Sequence, residues 1–184
     1  GENAAIADIR LVPSDTETKD KDLFDVILRR RSCKEPYEAR AISGEQADIL
    51  SQYGEVITDP AQVEALKKIS LDAWYVEYET PHTLKESIDL MRFGKSEINA
   101  TPDGIDIGGP LLELLALTGT LTPQTMADPT SSAYATGIDM YEAMLRATPN
   151  YLLIKTNGNR RRDQIGAGRQ WLRANLQATK LGLS

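Results

Sequence analysis

The sequence predicts an α+β protein in which helix dominates, and three observations carry that class. Short oxygen-bearing residues stand directly before proline at Asp59-Pro60, Thr80-Pro81, Thr122-Pro123 and Asp128-Pro129. That pairing suits a helix N-cap followed by the first helical residue, where proline has no N–H to lose. Apolar residues recur at helical spacing after those starts. Short apolar runs bounded by turn residues, Val56-Ile57 and Tyr151 to Ile154, supply the strands.

Taken in order, Ala5 to Val12 alternate apolar with polar, as an edge strand does, and Pro13 to Lys21 is a polar, acidic loop. Residues 1–21 thus read as edge strand and loop. Leu23, Phe24, Val26, Ile27 and Leu28 predict an apolar helix ending in Arg29, Arg30 and Arg31, cations that suit the negative end of a helix dipole. Ser43 with Gln46 three residues on makes a capping box for a helix over about 44–53, closed by Gly54. After Asp59-Pro60, Val63, Leu66, Ile69, Ala73 and Trp74 share one helical face. Leu84, Ile88 and Met91 form the next stripe. Asn99 to Pro110 reads as a turn-rich loop, Leu111 to Leu117 as a short apolar helix, and Tyr134, Ile138, Tyr141 and Leu145 as another. Tyr151 to Ile154 reads as a buried strand. Asp163 to Leu181 predicts a long helix whose Gly166, Ala167, Gly168, Ala174 and Ala178 let another backbone approach closely. There is no internal repeat, no low-complexity tract and no convincing domain boundary, so residues 1–184 read as a single domain.

Composition narrows the function. At 184 residues with 41 % hydrophobic and 26 % charged side chains, the chain can bury a sizeable core. Its 21 basic and 27 acidic residues leave a net charge of −6, which argues against generic nucleic-acid binding. A single Cys and a single His exclude an intrachain disulfide framework and a Cys/His zinc cluster. No apolar run approaches the roughly 18 residues of a membrane span.

Arg30-Arg31-Ser32-Cys33-Lys34 is the sharpest local feature. Two guanidiniums, a hydroxyl and an ammonium within one turn can grip a phosphate. The other reading is a solvated helix end that complements the dipole. Arg160-Arg161-Arg162 is a second cationic run, at a helix N-terminus where Asp163 is better placed, and reads mostly as surface. Asp103 to Gly109 looks like a glycine-rich ligand loop but lacks the Walker, dinucleotide and EF-hand patterns; a structural connection is the alternative. His82 has no nucleophile elbow to serve. Cys33 lies beside Arg31 and Lys34, which favour a thiolate, but has no resolving partner. Trp74 and Trp171 lie on apolar helix faces, as core or interface residues do.

Between Asp22 and Leu50 the sequence resembles the opening of an FMN-dependent nitroreductase: a helix running into Arg-Arg-Ser-x-Lys, then Pro36-Tyr37, then the helix capped at Ser43. From Tyr151 a strand and turn lead into a long helix ending Ala178-Thr179-Lys180-Leu181-Gly182-Leu183-Ser184, similar to that family's central helix. Thr80 to Ser87, Leu90-Met91-Arg92, Pro102 to Asp106 and Gly137 to Tyr141 resemble its Acg-like branch, associated with twin-arginine signals and hence with export. The resemblance implies a nitroreductase-like fold with helices around a central sheet. It implies an intertwined homodimer with FMN at the interface, held by Arg30, Arg31, Ser32 and Lys34. It further implies hydride from NAD(P)H, passed through the flavin to a nitro or quinone acceptor. Two departures stand out: no Asn-x-Gln-Pro-Trp-like flavin segment is present, and the chain stops where the family continues over the flavin ring, so it reads as the central portion of a longer member. A flavin-sequestering protein without turnover, and a dimerisation core that binds no flavin, are the alternatives.

Overall fold

Ser43, Asp59, Thr122 and Ser131 cap exposed backbone N–H groups at four helix starts, whereas Thr80, before Pro81, turns its hydroxyl back to the Val76 carbonyl and caps no N–H. The computed structural model describes Arg10, Pro13 and residues 21–183; the strand expected over 5–12 and most of the following loop lie outside the described residues. The described order opens with α1 (Lys21–Phe24) and α2 (Gly44–Leu50). Ser43 and Gln46 form the expected reciprocal cap: Ser43 Oγ accepts from the Gln46 N–H at 3.2 Å, and Gln46 Oε1 accepts from the Ser43 N–H at 2.9 Å. β1 (Glu55–Ile57) leads to α3 (Pro60–Glu79), capped by Asp59 Oδ1 on the Gln62 N–H at 3.0 Å. Then come α4 (Pro81–Asp89), β2 (Met91–Phe93), α5 (Gly94–Ala100), β3 (Ile105–Ile107), α6 (Pro110–Leu117) and α7 (Pro123–Ala127). α8 (Ser132–Arg146), β4 (Tyr151–Leu153) and α9 (Arg161–Lys180) complete the series. Helix makes up 58 % of the described residues, so the class is α+β with helix dominant.

The chain divides into two compact units where the sequence shows no boundary. Residues 1–32 with 154–184 form a flanking unit, and residues 33–153 an inner unit. The division also separates charge. The flanking unit carries thirteen Lys and Arg against eight Asp and Glu, the inner unit eight against nineteen.

In the inner unit, α3, α4, α7 and α8 pack around Tyr78, Leu84, Ile88 and Met126, with Trp74, Phe93, Tyr134 and Ile138 against them. Trp74 stacks on Tyr141 with ring centroids 4.2 Å apart. The resemblance implies one central sheet, but the described strands form two ladders of two. β1 runs antiparallel to β4, with Ile57 opposite Tyr151, and β2 runs parallel to β3, with Phe93 opposite Ile107. Gly94, at φ 74°, turns the chain from β2 straight into α5, the crossover a parallel pair requires. β4, expected to be buried, is half-buried.

In the flanking unit, Leu23 and Val26 bury against Leu176 of α9, and Lys180 Nζ meets Asp22 Oδ2 at 2.5 Å. The first helix, expected to reach Arg31, is regular only through Phe24 and continues as turns. Phe24, Ile27 and Leu28 are exposed, so tertiary packing sustains only one turn of a segment too short to be helical alone.

Three further expectations shift. The inner face of α3 is Val63, Leu71 and Tyr78, and Ile69 is 63 % exposed. Asp128-Pro129 starts no helix: Asp128 Oδ1 instead accepts from the Thr130 N–H at 2.9 Å and its hydroxyl at 2.8 Å. Those two bonds hold the Asp128 carboxyl below its usual range, and α8 begins later, capped by Ser131 on the Tyr134 N–H at 3.0 Å. The expected loop over 99–110 contains β3, because Ile105 and Ile107 find Met91 and Phe93 as partners.

Candidate functional site

Arg30, Arg31 and Ser32 close the flanking unit's first segment, and Lys34 belongs to the inner unit. Arg30 is half-buried, and its Nη1 donates to Ser32 Oγ at 3.4 Å. Arg31 is exposed, and its Nη1 donates to the carbonyls of Leu28 at 2.9 Å and Arg30 at 2.7 Å. Arg31 therefore serves the end of the turn with one nitrogen, as a cation at a helix terminus does. Its other N–H groups are uncommitted among the described residues. Lys34 Nζ donates to the backbone carbonyl of Asp106 in β3. None of the carboxylates among the described residues pairs with Arg30, Arg31 or Lys34. Cys33 is half-buried with Sγ 3.2 Å from the Glu35 carbonyl. Burial, and secondarily the neighbouring Cys33, push the Tyr37 phenol up.

The other sequence candidates are local structure. Asp163 Oδ2 accepts from the Arg160 N–H at 3.0 Å, so the carboxylate serves the N-terminus of α9 as its position suggests. Arg162 pairs with Asp163 at 3.7 Å. His82 is exposed in the first turn of α4. Trp74 is half-buried in the inner core, whereas Trp171 is 55 % exposed on α9. Among the described residues no three His, Cys, Asp or Glu side chains converge to hold a metal, and no helix is long and apolar enough to cross a membrane.

The structure adds a polar seam between α3 and α8. Tyr75 Oη donates to Glu142 Oε2 at 2.6 Å, and Arg146 Nε donates to Glu142 Oε1 at 2.7 Å. The two bonds, Tyr75's first, hold the Glu142 carboxyl below its usual range, and the same carboxylate raises the Tyr75 phenol. A shallow groove of about 390 Å³ runs beside it. Its cations already meet carboxylates: Lys67 with Glu64 at 2.8 Å and Lys68 with Asp72 at 2.7 Å. The i,i+4 pair Glu142–Arg146 is visible in sequence; the Tyr75 partner, 67 residues away, is not.

No family model, curated protein or solved structure matches this chain.

Proposed function

We propose that the chain is an FMN-binding, nitroreductase-like oxidoreductase in which Arg30, Arg31, Ser32 and Lys34 hold the cofactor's phosphate. The observation that carries this reading is a contiguous set of phosphate-type donors whose charge no described carboxylate answers. Paired surface arginines are commonplace; two guanidiniums and an ammonium within five residues, flanked by a hydroxyl and left unpaired, suit a dianion. The net positive balance of the flanking unit adds a favourable field for an anion. When bound, FMN supplies the redox chemistry, taking hydride from NAD(P)H and delivering it to a nitro or quinone acceptor. The protein's share is grip and orientation. Exposed Ile165, Trp171 and Leu172, with Gly168 between them on α9, favour a homodimer through that helix.

The test compares FMN with riboflavin, which lacks the phosphate. A charge-assisted contact contributes about 1.5–3 kcal/mol, so Arg30→Ala with Lys34→Ala lowers FMN affinity by tenfold or more on the scale of about 1.4 kcal/mol per decade. Riboflavin affinity stays nearly constant. Unchanged FMN affinity in the double variant sinks the assignment. NADPH oxidation by the FMN-loaded protein then separates an enzyme from a flavin-sequestering protein.

A further inference from the structure

We infer that the glycine-rich segment 103–109 is the support that positions Lys34 for phosphate, the Asp106 carbonyl holding the ammonium and Gly104 fixing where that carbonyl stands. This deepens, and rests on, the reading of Lys34 as a phosphate contact. The segment looks like a ligand loop in sequence, yet its own carboxylates repel a phosphate, and Asp103 is already engaged by Arg92 Nη2 at 3.3 Å. What it offers instead is backbone. An ammonium has three N–H donors. Lys34 commits one to the carbonyl of Asp106, 72 residues away in sequence, which leaves two to point elsewhere from a fixed nitrogen.

The location of that carbonyl is set by how closely the turn approaches β2. The Ile105 N–H donates to the Leu90 carbonyl at 2.7 Å, which starts the parallel ladder that places Asp106 opposite Arg92. Gly104 lies against the same Leu90 carbonyl, so any Cβ there would overlap a backbone oxygen, and it would also stand 2.8 Å from Arg92 Cζ. A backbone oxygen cannot swing aside as a side-chain tip can. Arg92 covers the turn from the other side, donating to the carbonyls of Asp89 and Met91 at 3.0 Å each. A side chain at 104 therefore displaces β3 and, with it, the Asp106 carbonyl.

The experiment measures the ratio of FMN to riboflavin affinity in the whole chain, in Gly104→Ala, in Lys34→Ala and in the double variant. The expected ratio falls by about tenfold in Lys34→Ala and severalfold in Gly104→Ala, and the double variant falls no further than Lys34→Ala alone. A purely structural role for Gly104 weakens both flavins together and leaves the ratio unmoved, which overturns the inference. Additive losses in the double variant overturn it too. A wild-type chain with no preference for FMN over riboflavin overturns both this inference and the cofactor reading. A preference lost in Lys34→Ala but intact in Gly104→Ala overturns this inference alone. Should Gly104→Ala not fold, Ile107→Ala, which loosens the half-buried end of β3 opposite Phe93 without changing charge, carries the test: a lower ratio supports the inference and an unchanged one overturns it.

Discussion

Alanine at position 137 should destabilise the protein when residue 78 is Tyr and stabilise it when residue 78 is Phe. Gly137 lies inside α8, where exchanging glycine for alanine ordinarily gains about 1 kcal/mol. Here a Cβ would stand 2.5 Å from Tyr78 Oη. That oxygen is not free to move: it donates to the Tyr134 carbonyl at 3.0 Å, the residue is 5 % exposed, and its ring lies 4.9 Å from Trp74 and 4.7 Å from Tyr134. Overpacking of such a site costs about 1–3 kcal/mol, which outweighs the propensity gain and leaves Gly137→Ala destabilising by about 1 kcal/mol. With the hydroxyl removed, the nearest ring atom is Cζ at 3.4 Å, an ordinary contact. Tyr78→Phe itself costs about 1 kcal/mol for the lost hydrogen bond. On top of it Gly137→Ala should recover most of the helical gain, a coupling of about 2 kcal/mol. Urea denaturation of the four proteins, at constant slope, reads these differences; in melting temperature each kcal/mol amounts to roughly 2–4 °C for a chain of this size. The same sign for Gly137→Ala in both backgrounds would refute the argument that the phenol sets the space at 137.

Other outcomes follow from the same packing. Burial pushes the Tyr78 phenol up to about 12 from an ordinary 10.0; a raised folded-state value means its contribution is complete below the unfolded pKa and lost as pH rises through the folded one. Urea midpoints should therefore decline across that alkaline window, less steeply in Tyr78→Phe. Glu142 shifts the opposite way, so its contribution is present above the ordinary carboxylate range and lost as pH falls through its depressed value; Tyr75→Phe should move the Glu142 carboxyl titration, followed by NMR, back toward normal. Leu176→Ala, opening the cluster with Leu23 and Val26, should cost about 2–4 kcal/mol and raise amide exchange in α9 before it does in α3. Ser43→Ala removes one half of the cap on α2 and should cost about 1 kcal/mol, with exchange rising first at the Gln46 N–H.

Capping chemistry was the most legible part of this fold, because a cap is decided within four residues. Ser43 with Gln46, Asp59-Pro60 and Thr122-Pro123 all start helices as read. Asp128-Pro129 looked the same and failed because Thr130 offered Asp128 a closer pair of donors than a helix did. Burial was less legible. Ile69 is as apolar as Leu71, and only the positions of α4 and α8 decide that α3 turns Leu71 and Tyr78 inward. β3 hid inside an apparent loop because three residues between glycines carry almost no periodic signal. Of the candidate site, the residue types and their spacing were visible at once; the Asp106 carbonyl under Lys34 was not, since a backbone acceptor leaves no mark on composition.

The flanking unit is built from two segments with the whole inner unit between them, and its ion pair joins residues 158 positions apart. That topology has a consequence for synthesis. As the chain is made from its N-terminus, residues 33–153 are complete before any of 154–184 exists, so the inner unit can fold first. Until Leu176 emerges, Leu23 and Val26 have no partner from α9, and Phe24, Ile27 and Leu28 beside them are apolar as well. The nascent chain therefore carries an apolar segment without that partner while residues 33–153 are being made. A chaperone that shields residues 23–28, or Lys and Arg residues that keep neighbouring chains apart, would matter most before residues 154–184 appear.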